Sequence, residues 1–163
     1  MSRPRRLDGI DYIGFRQYFL TICTHQRSCH FTSAATVALV VSPFLRTATD
    51  EQFEILAYCF MPDHLHAVVA ANSEESDLRR FIGLAKQRSA YLFARVTGER
   101  LWQEGYFEHV VRKDEVPSEL VGYILRNPVR AGLVADPTEY PYWGSQVYSR
   151  EELREYVGSV RRG

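Results

Sequence analysis

The sequence predicts an α+β fold built on an antiparallel sheet, and three observations carry that prediction. Short runs rich in aromatic and β-branched residues alternate with longer runs whose apolar residues recur at helical spacing. Two of the strand-like runs are separated only by Pro62 and Asp63, a tight-turn pair, so they form a hairpin. The order that results is strand–helix–strand–strand–helix–strand, the ferredoxin-like βαββαβ pattern, with one more helix added after it.

The elements follow in turn. "FRQYFLTIC" (15–23) is the first strand. "TSAATVALVVSPFLRTA" (32–48) opens on capping residues and reads as a helix, with Pro43 as a point of bending. "FEILAYCFM" (53–61) and "HLHAVVAA" (64–71) are the second and third strands. "SEESD" (73–77) sets negative charge at a helix start, where the helix dipole favours it. That helix runs to Thr97 on a stripe of Leu78, Phe81, Ile82, Ala85, Leu92 and Val96, and Gly98 stops it. "GYFEHVVR" (105–112) is the fourth strand. The added helix starts near Pro117 and ends at Asn127, before Pro128. A Tyr-, Pro- and Trp-rich tail follows, with a short helical stretch at 150–157. In this topology the first and third strands are central.

Length and composition suit one domain over 1–163, with a short basic arm at 1–9 and a short tail from about 146 to 163. No apolar run approaches the roughly 20 residues of a membrane span, and the N-terminus lacks the apolar core of a signal peptide. A cytoplasmic protein is expected. The odd number of cysteines argues against a disulfide framework. "CTHQRSCH" (Cys23, His25, Cys29, His30) has cysteine spacing too long for the usual zinc pair and no second half, so it reads as a strand end and a turn. Net charge is zero, which excludes a global field drawing in nucleic acid. Local charge is different: all basic residues but Lys86 and Lys113 are Arg, the side chain whose planar fork holds phosphate. Arg3, Arg5 and Arg6 begin the chain, Arg161 and Arg162 end it, and Arg79, Arg80, Lys86, Arg88 and Arg95 recur along the long helix.

The chemistry centres on "FMPDHLHAVV" (60–69). Side chains alternate along a strand, so His64, His66 and Val68 share one face, while Leu65, Ala67 and Val69 share the other and meet the crossing helices. An isolated strand pair of this kind more often bonds a carbonyl or water than a metal. The added helix shifts the balance. Leu120, Tyr123, Ile124 and Asn127 lie on one helical face, so docking Leu120 and Ile124 brings in a hydroxyl and an amide oxygen. Two imidazoles and an amide leave positions open for phosphate oxygens on a hard divalent ion. A core tyrosine is the competing reading of Tyr123.

"MPDHLHAVV", "YILRNPVRAGLV" and "FLTICTHQRSCHF" together resemble the single-tyrosine HUH transposases, and within them the REP-associated tyrosine transposases. The resemblance spans about 15–145. It implies His64, His66 and Asn127 as metal ligands, Tyr123 as the nucleophile on a catalytic C-terminal helix, Mg²⁺ or Mn²⁺ as cofactor, and single-stranded hairpin DNA as partner. The implied activity is an endonuclease and strand transferase working through a 5′-phosphotyrosine. Arg79, Arg80, Lys86, Gln87, Arg112, Arg126 and Arg130 are candidate DNA contacts. His109 either assists the site or packs, and Trp102 and Tyr106 either stack on bases or belong to the core. Two alternatives stand beside this reading: a domesticated repeat-DNA-binding protein that moves nothing, and a metallophosphoesterase that uses water. The resemblance is compatible with a monomer and with a homodimer.

Overall fold

A computed structural model describes residues 12–160. The arginines at 3, 5, 6, 161 and 162 lie outside the described residues. Five strands form one antiparallel sheet: β1 (Gln17–Cys23), β2 (Phe53–Met61), β3 (His64–Ala71), β4 (Phe107–Val110) and β5 (Trp143–Gly144). Their order is β4-β1-β3-β2-β5, so the first four strands keep the ferredoxin-like arrangement with β1 and β3 inside. β5 is a two-residue addition against Tyr58 and Cys59 that the sequence reading missed.

The helices are α1 (Ala34–Asp50), α2 (Leu78–Thr97), α3 (Pro117–Arg130) and α4 (Arg150–Val160). Ser33 caps α1 by accepting from the Thr36 amide. Asp77 caps α2 by accepting from the Arg79 and Arg80 amides, and Gly98 closes it at φ +72°, a left-handed conformation that glycine adopts without penalty. α4 begins with a reciprocal box between Ser149 and Glu152.

Three expected boundaries are corrected. β1 starts at Gln17, two residues late, because Phe15 and Arg16 precede the ladder with β3. β4 is only four residues long, since its pairing to β1 stops at Phe107 and Val110. α3 does not end at Asn127: it continues through Pro128 to Arg130. Pro128 lacks the amide that would bond the Ile124 carbonyl, but the helix resumes at once with the Ala131 amide on the Asn127 carbonyl.

The sheet separates two apolar clusters. Leu20, Ile22, Leu65, Ala67 and Val69 meet Val40, Phe44, Phe81, Ile82 and Phe93 of α1 and α2. On the other face Ala57, Cys59, Met61 and Val68 meet Val121, Ile124 and Leu125 of α3, Trp143 of β5, and Leu153 and Val157 of α4. A bulge in β2 between Ile55 and Ala57 lets odd-numbered residues serve both: Phe53 and Ile55 face α1 and α2, while Ala57, Cys59 and Met61 face α3. Register with β1 then puts Phe19, Thr21 and Cys23 on the α3 side, opposite Val68, His66 and His64.

Candidate active site

The alternation expected for β3 holds: Leu65, Ala67 and Val69 are fully buried among the α1/α2 cluster, and both histidines point to the α3 side. Their rings stand nearly perpendicular, with the two Nε2 atoms 3.1 Å apart. Each Nδ1 is engaged elsewhere. His64 Nδ1 is 2.7 Å from Asp63 Oδ1, and His66 Nδ1 is 3.0 Å from Thr21 Oγ1. Partners on both Nδ1 atoms fix the ring orientations and leave both Nε2 atoms converging on one point, as metal-ligating histidines require. A 3.1 Å separation matches neighbouring corners of an octahedron with ligand distances of about 2.1 Å.

Electrostatics favours a neutral ring at His66. Burial, then the charge of His64, lowers the pKa of His66 to about 4, and Arg130 and Arg27 push in the same direction. Burial would raise the Asp63 carboxyl, but hydrogen bonds from His64 and Arg27 outweigh it and hold the group below its usual range. Arg27 arrives through an unusual turn. Gln26 and Arg27 have φ of +53° and +55°, and the Arg27 guanidinium returns to Asp63 Oδ2 at 2.9 Å and to Cys23 Sγ at 2.9 Å. Burial raises the Cys23 thiol, with Arg27 opposing. The "CTHQRSCH" segment is thus the strand end and turn expected, and its cysteines are free.

Tyr123 is not a core tyrosine. It is 44% exposed, although Ile124 and Leu125 beside it are fully buried. Its ring meets Phe19 edge-on at 5.8 Å, and Phe19 in turn lies 5.5 Å from His66. α3 starts beside Gln17, Ala70 and Ala71, where Pro117 shares a groove with them, and it runs toward the histidine end of β1. From Tyr123 to Asn127 it advances about 6 Å, close to the step of about 6.6 Å from Phe19 to Thr21. Asn127, half-buried, stands about one turn beyond Tyr123 on the same ridge of α3.

The candidate DNA contacts fall in different places. Arg79, Arg80, Lys86 and Gln87 belong to α2, across the sheet from the histidines. Arg79 lies over Tyr12, Arg80 pairs with Glu51, and Lys86 is turned onto the carbonyls of Gln103 and Gly105. Arg126 folds over Gly122 beside Tyr156, so that a Cβ at Gly122 would have to push the guanidinium aside. Arg130 stacks on Tyr123. Arg112 lines an open groove of about 600 Å³ with Phe15, Arg16 and Lys113, at the end of the sheet away from the histidines. His109 pairs with Glu115 at the edge, and Trp102 and Tyr106 are core residues. Asp63, Thr21, Arg27 and Phe19 were missed; only the adjacency of Asp63 to His64 was visible in the sequence. Among the described residues, no group of three or more His, Cys, Asp or Glu is placed to hold a metal ion.

The family described as "Transposase IS200 like" matches residues 16–127, a span holding both histidines, Tyr123 and Asn127. The chain belongs to the IS200-like transposase family. It is an enzyme of DNA strand cleavage and rejoining. The REP-associated tyrosine transposase of Escherichia coli (strain K12) is 26% identical to it, covering 87% of this chain and 81% of that protein. The structure is similar to that of a REP-associated tyrosine transposase bound to a REP hairpin (TM-score 0.70, 26% identity, 88% of this chain and 82% of that one). A crystal structure from Deinococcus radiodurans shares the fold at 22% identity and TM-score 0.53, covering 66% of this chain and 88% of that one. Among the described residues no helix of this transposase is long and apolar enough to cross a membrane.

Proposed function

We propose that this transposase cuts and rejoins single-stranded DNA folded into a REP-like hairpin, with Tyr123 as nucleophile and His64, His66 and Asn127 holding Mg²⁺ or Mn²⁺. The observation that carries the reading is the convergent Nε2 pair beside a helix that presents an exposed tyrosine. The donor set fits the ion: two imidazoles with anchored Nδ1 atoms and one amide oxygen, leaving room for phosphate oxygens. When bound, the ion supplies Lewis-acid stabilisation of charge on the non-bridging phosphate oxygens.

The chain's own residues do the rest. Thr21 and Asp63 hold the imidazoles in place, and Arg27 fixes Asp63. Phe19 supports the Tyr123 ring over the sheet. The Tyr123 oxygen attacks phosphorus, forming a Tyr–O–P bond as the P–O3′ bond breaks; its proton passes to solvent, and the departing 3′ oxygen leaves as a hydroxyl. The 5′-phosphotyrosine keeps the phosphodiester bond energy, so a 3′-hydroxyl can reverse the step and join strands. Phe15, Arg16, Arg112 and Lys113 supply an exposed aromatic face and cations for a DNA strand approaching along the sheet. A DNA substrate agrees with the cytoplasmic location expected from the sequence.

The test is a denaturing gel of protein mixed with end-labelled hairpin. Wild type gives a covalent protein–DNA band. Tyr123→Phe binds hairpin but gives neither cleavage nor that band, with folding stability within about 1 kcal/mol. Cleavage without any covalent band would instead mark water as nucleophile, and binding without cleavage would mark a repeat-binding protein.

A further inference from the structure

One guanidinium grips the proposed nucleophile twice. Arg130 Cζ lies 3.7 Å from the centroid of the Tyr123 ring, and Arg130 Nη2 donates a 2.6 Å hydrogen bond to the Tyr123 carbonyl oxygen. Tyr123, Asn127 and Arg130 stand at i, i+4 and i+7, one ridge of α3, so the Arg130 side chain folds back along the helix past Asn127. The ring has a second support in the edge of Phe19. A half-exposed tyrosine would ordinarily sample several rotamers; this one is held through its π face and its main chain by the same group.

The site of the grip also matters. The helix passes through Pro128, which removes one amide from the turn after Tyr123, and the Arg130 hydrogen bond falls in that turn. Among the described residues, Arg130 makes no other hydrogen bond, so its Nε and Nη1 are free to meet an anion. Arg130 also ranks among the charges felt by His66, so the guanidinium lies within electrostatic reach of that ring.

We propose that Arg130 is a positioning residue for Tyr123: stacked on the ring and bonded to the main chain of the same residue, it fixes the line along which the phenol oxygen meets the scissile phosphate. The inference rests on the reading of Tyr123 as nucleophile. It differs from a simple phosphate contact, which would act on DNA affinity, and from a helix tie, which would act on stability. A misplacement of a reacting group by about 1 Å costs on the order of 100-fold in rate. Lys keeps the charge but can neither stack flat nor fork to a carbonyl while doing so.

The experiment compares wild type, Arg130→Lys and Arg130→Ala in the full chain by three readouts: melting temperature, hairpin affinity in EDTA, and rate of adduct formation at saturating hairpin with Mg²⁺. At saturation the adduct rate should fall on the order of 100-fold in Arg130→Ala. Arg130→Lys should restore hairpin affinity to the wild-type value without restoring that rate. If saturating hairpin returns both variants to the wild-type rate, Arg130 is a DNA contact only and the proposal is overturned. A lower melting temperature with an unchanged saturated rate overturns it as well, leaving a helix tie. Wild type that never forms an adduct overturns the nucleophile assignment, and this inference with it; an adduct in wild type that is equally fast in both variants overturns this inference alone.

Discussion

The two faces of the sheet divide the work of the protein. The face toward α1 and α2 is closed: Leu65, Ala67 and Val69 of β3 are fully buried under aromatic and aliphatic side chains. The face toward α3 and α4 is apolar only over β2 and the middle of β3, where Trp143, Ile124 and Leu153 cover it. At its His64 end it becomes polar, with Arg27, Asp63, His64, His66 and Thr21 bonded in series and Tyr123 half-exposed above. Neighbouring residues of one strand thus serve opposite ends. Each apolar neighbour of a histidine anchors the backbone from which that histidine is aimed, so rigidity on one side of the sheet is precision on the other.

The sharpest way to break this division is to truncate on the polar face. His64→Ala or His66→Ala should abolish hairpin cleavage in Mg²⁺ or Mn²⁺ while changing stability by only about 1 kcal/mol, the scale of one lost hydrogen bond. EDTA should do the same to wild type. Full activity in EDTA on the labelled-hairpin gel would contradict the metal assignment.

One residue along, the opposite result is expected. Leu65→Ala removes a fully buried side chain from the closed face and should cost about 2–5 kcal/mol in urea unfolding. The molecules that stay folded should still form adduct at near the wild-type rate. A stable Leu65→Ala protein with no activity would show that the two faces are not separable.

The comparison can be refined with pH. His66 stays neutral in the folded protein down to about pH 4, because of burial and then the charge of His64, whereas an unfolded chain protonates it near 6.5. Between those values the unfolded state binds the additional proton, so acid favours unfolding. This loss of stability is absent above pH 6.5, grows as pH falls, and reaches roughly 3 kcal/mol by about pH 4. Urea titrations at stepped pH should show a shallower acid loss in His66→Gln than in wild type. Equal slopes would place the acid sensitivity elsewhere.

Much of this was legible because it depends on local periodicity. The alternation of 64–69 gave both faces of β3, and the spacing of Tyr123 and Asn127 put them on one ridge of α3. The left-handed stop at Gly98 follows from glycine alone. What escaped depends on tertiary geometry. The β2 bulge reassigns odd-numbered residues from one face to the other with no glycine to announce it. Arg27 reaches Asp63 through two left-handed residues, neither of them Gly or Asn. Pro128 reads as a terminator, yet the helix continues, because Ile124 and Leu125 before it are buried against the sheet and tertiary packing overrides the local penalty. Lys86 resembled a solvated cation, but its ammonium reaches two carbonyls after α2, whose positions no sequence pattern reveals.

The turn between β2 and β3 is two residues long, with Met61 opposite His64. Surface turns ordinarily accept an inserted residue at small cost. This one sets which side of β3 carries imidazole: a slip of one position would send both histidines under α1 and α2 and bring Leu65 and Ala67 to Tyr123. Among natural variants of this chain, length changes are therefore expected at the exposed 98–100 segment and not at Pro62–Asp63, whose freedom to drift is spent on keeping count for the strand that follows.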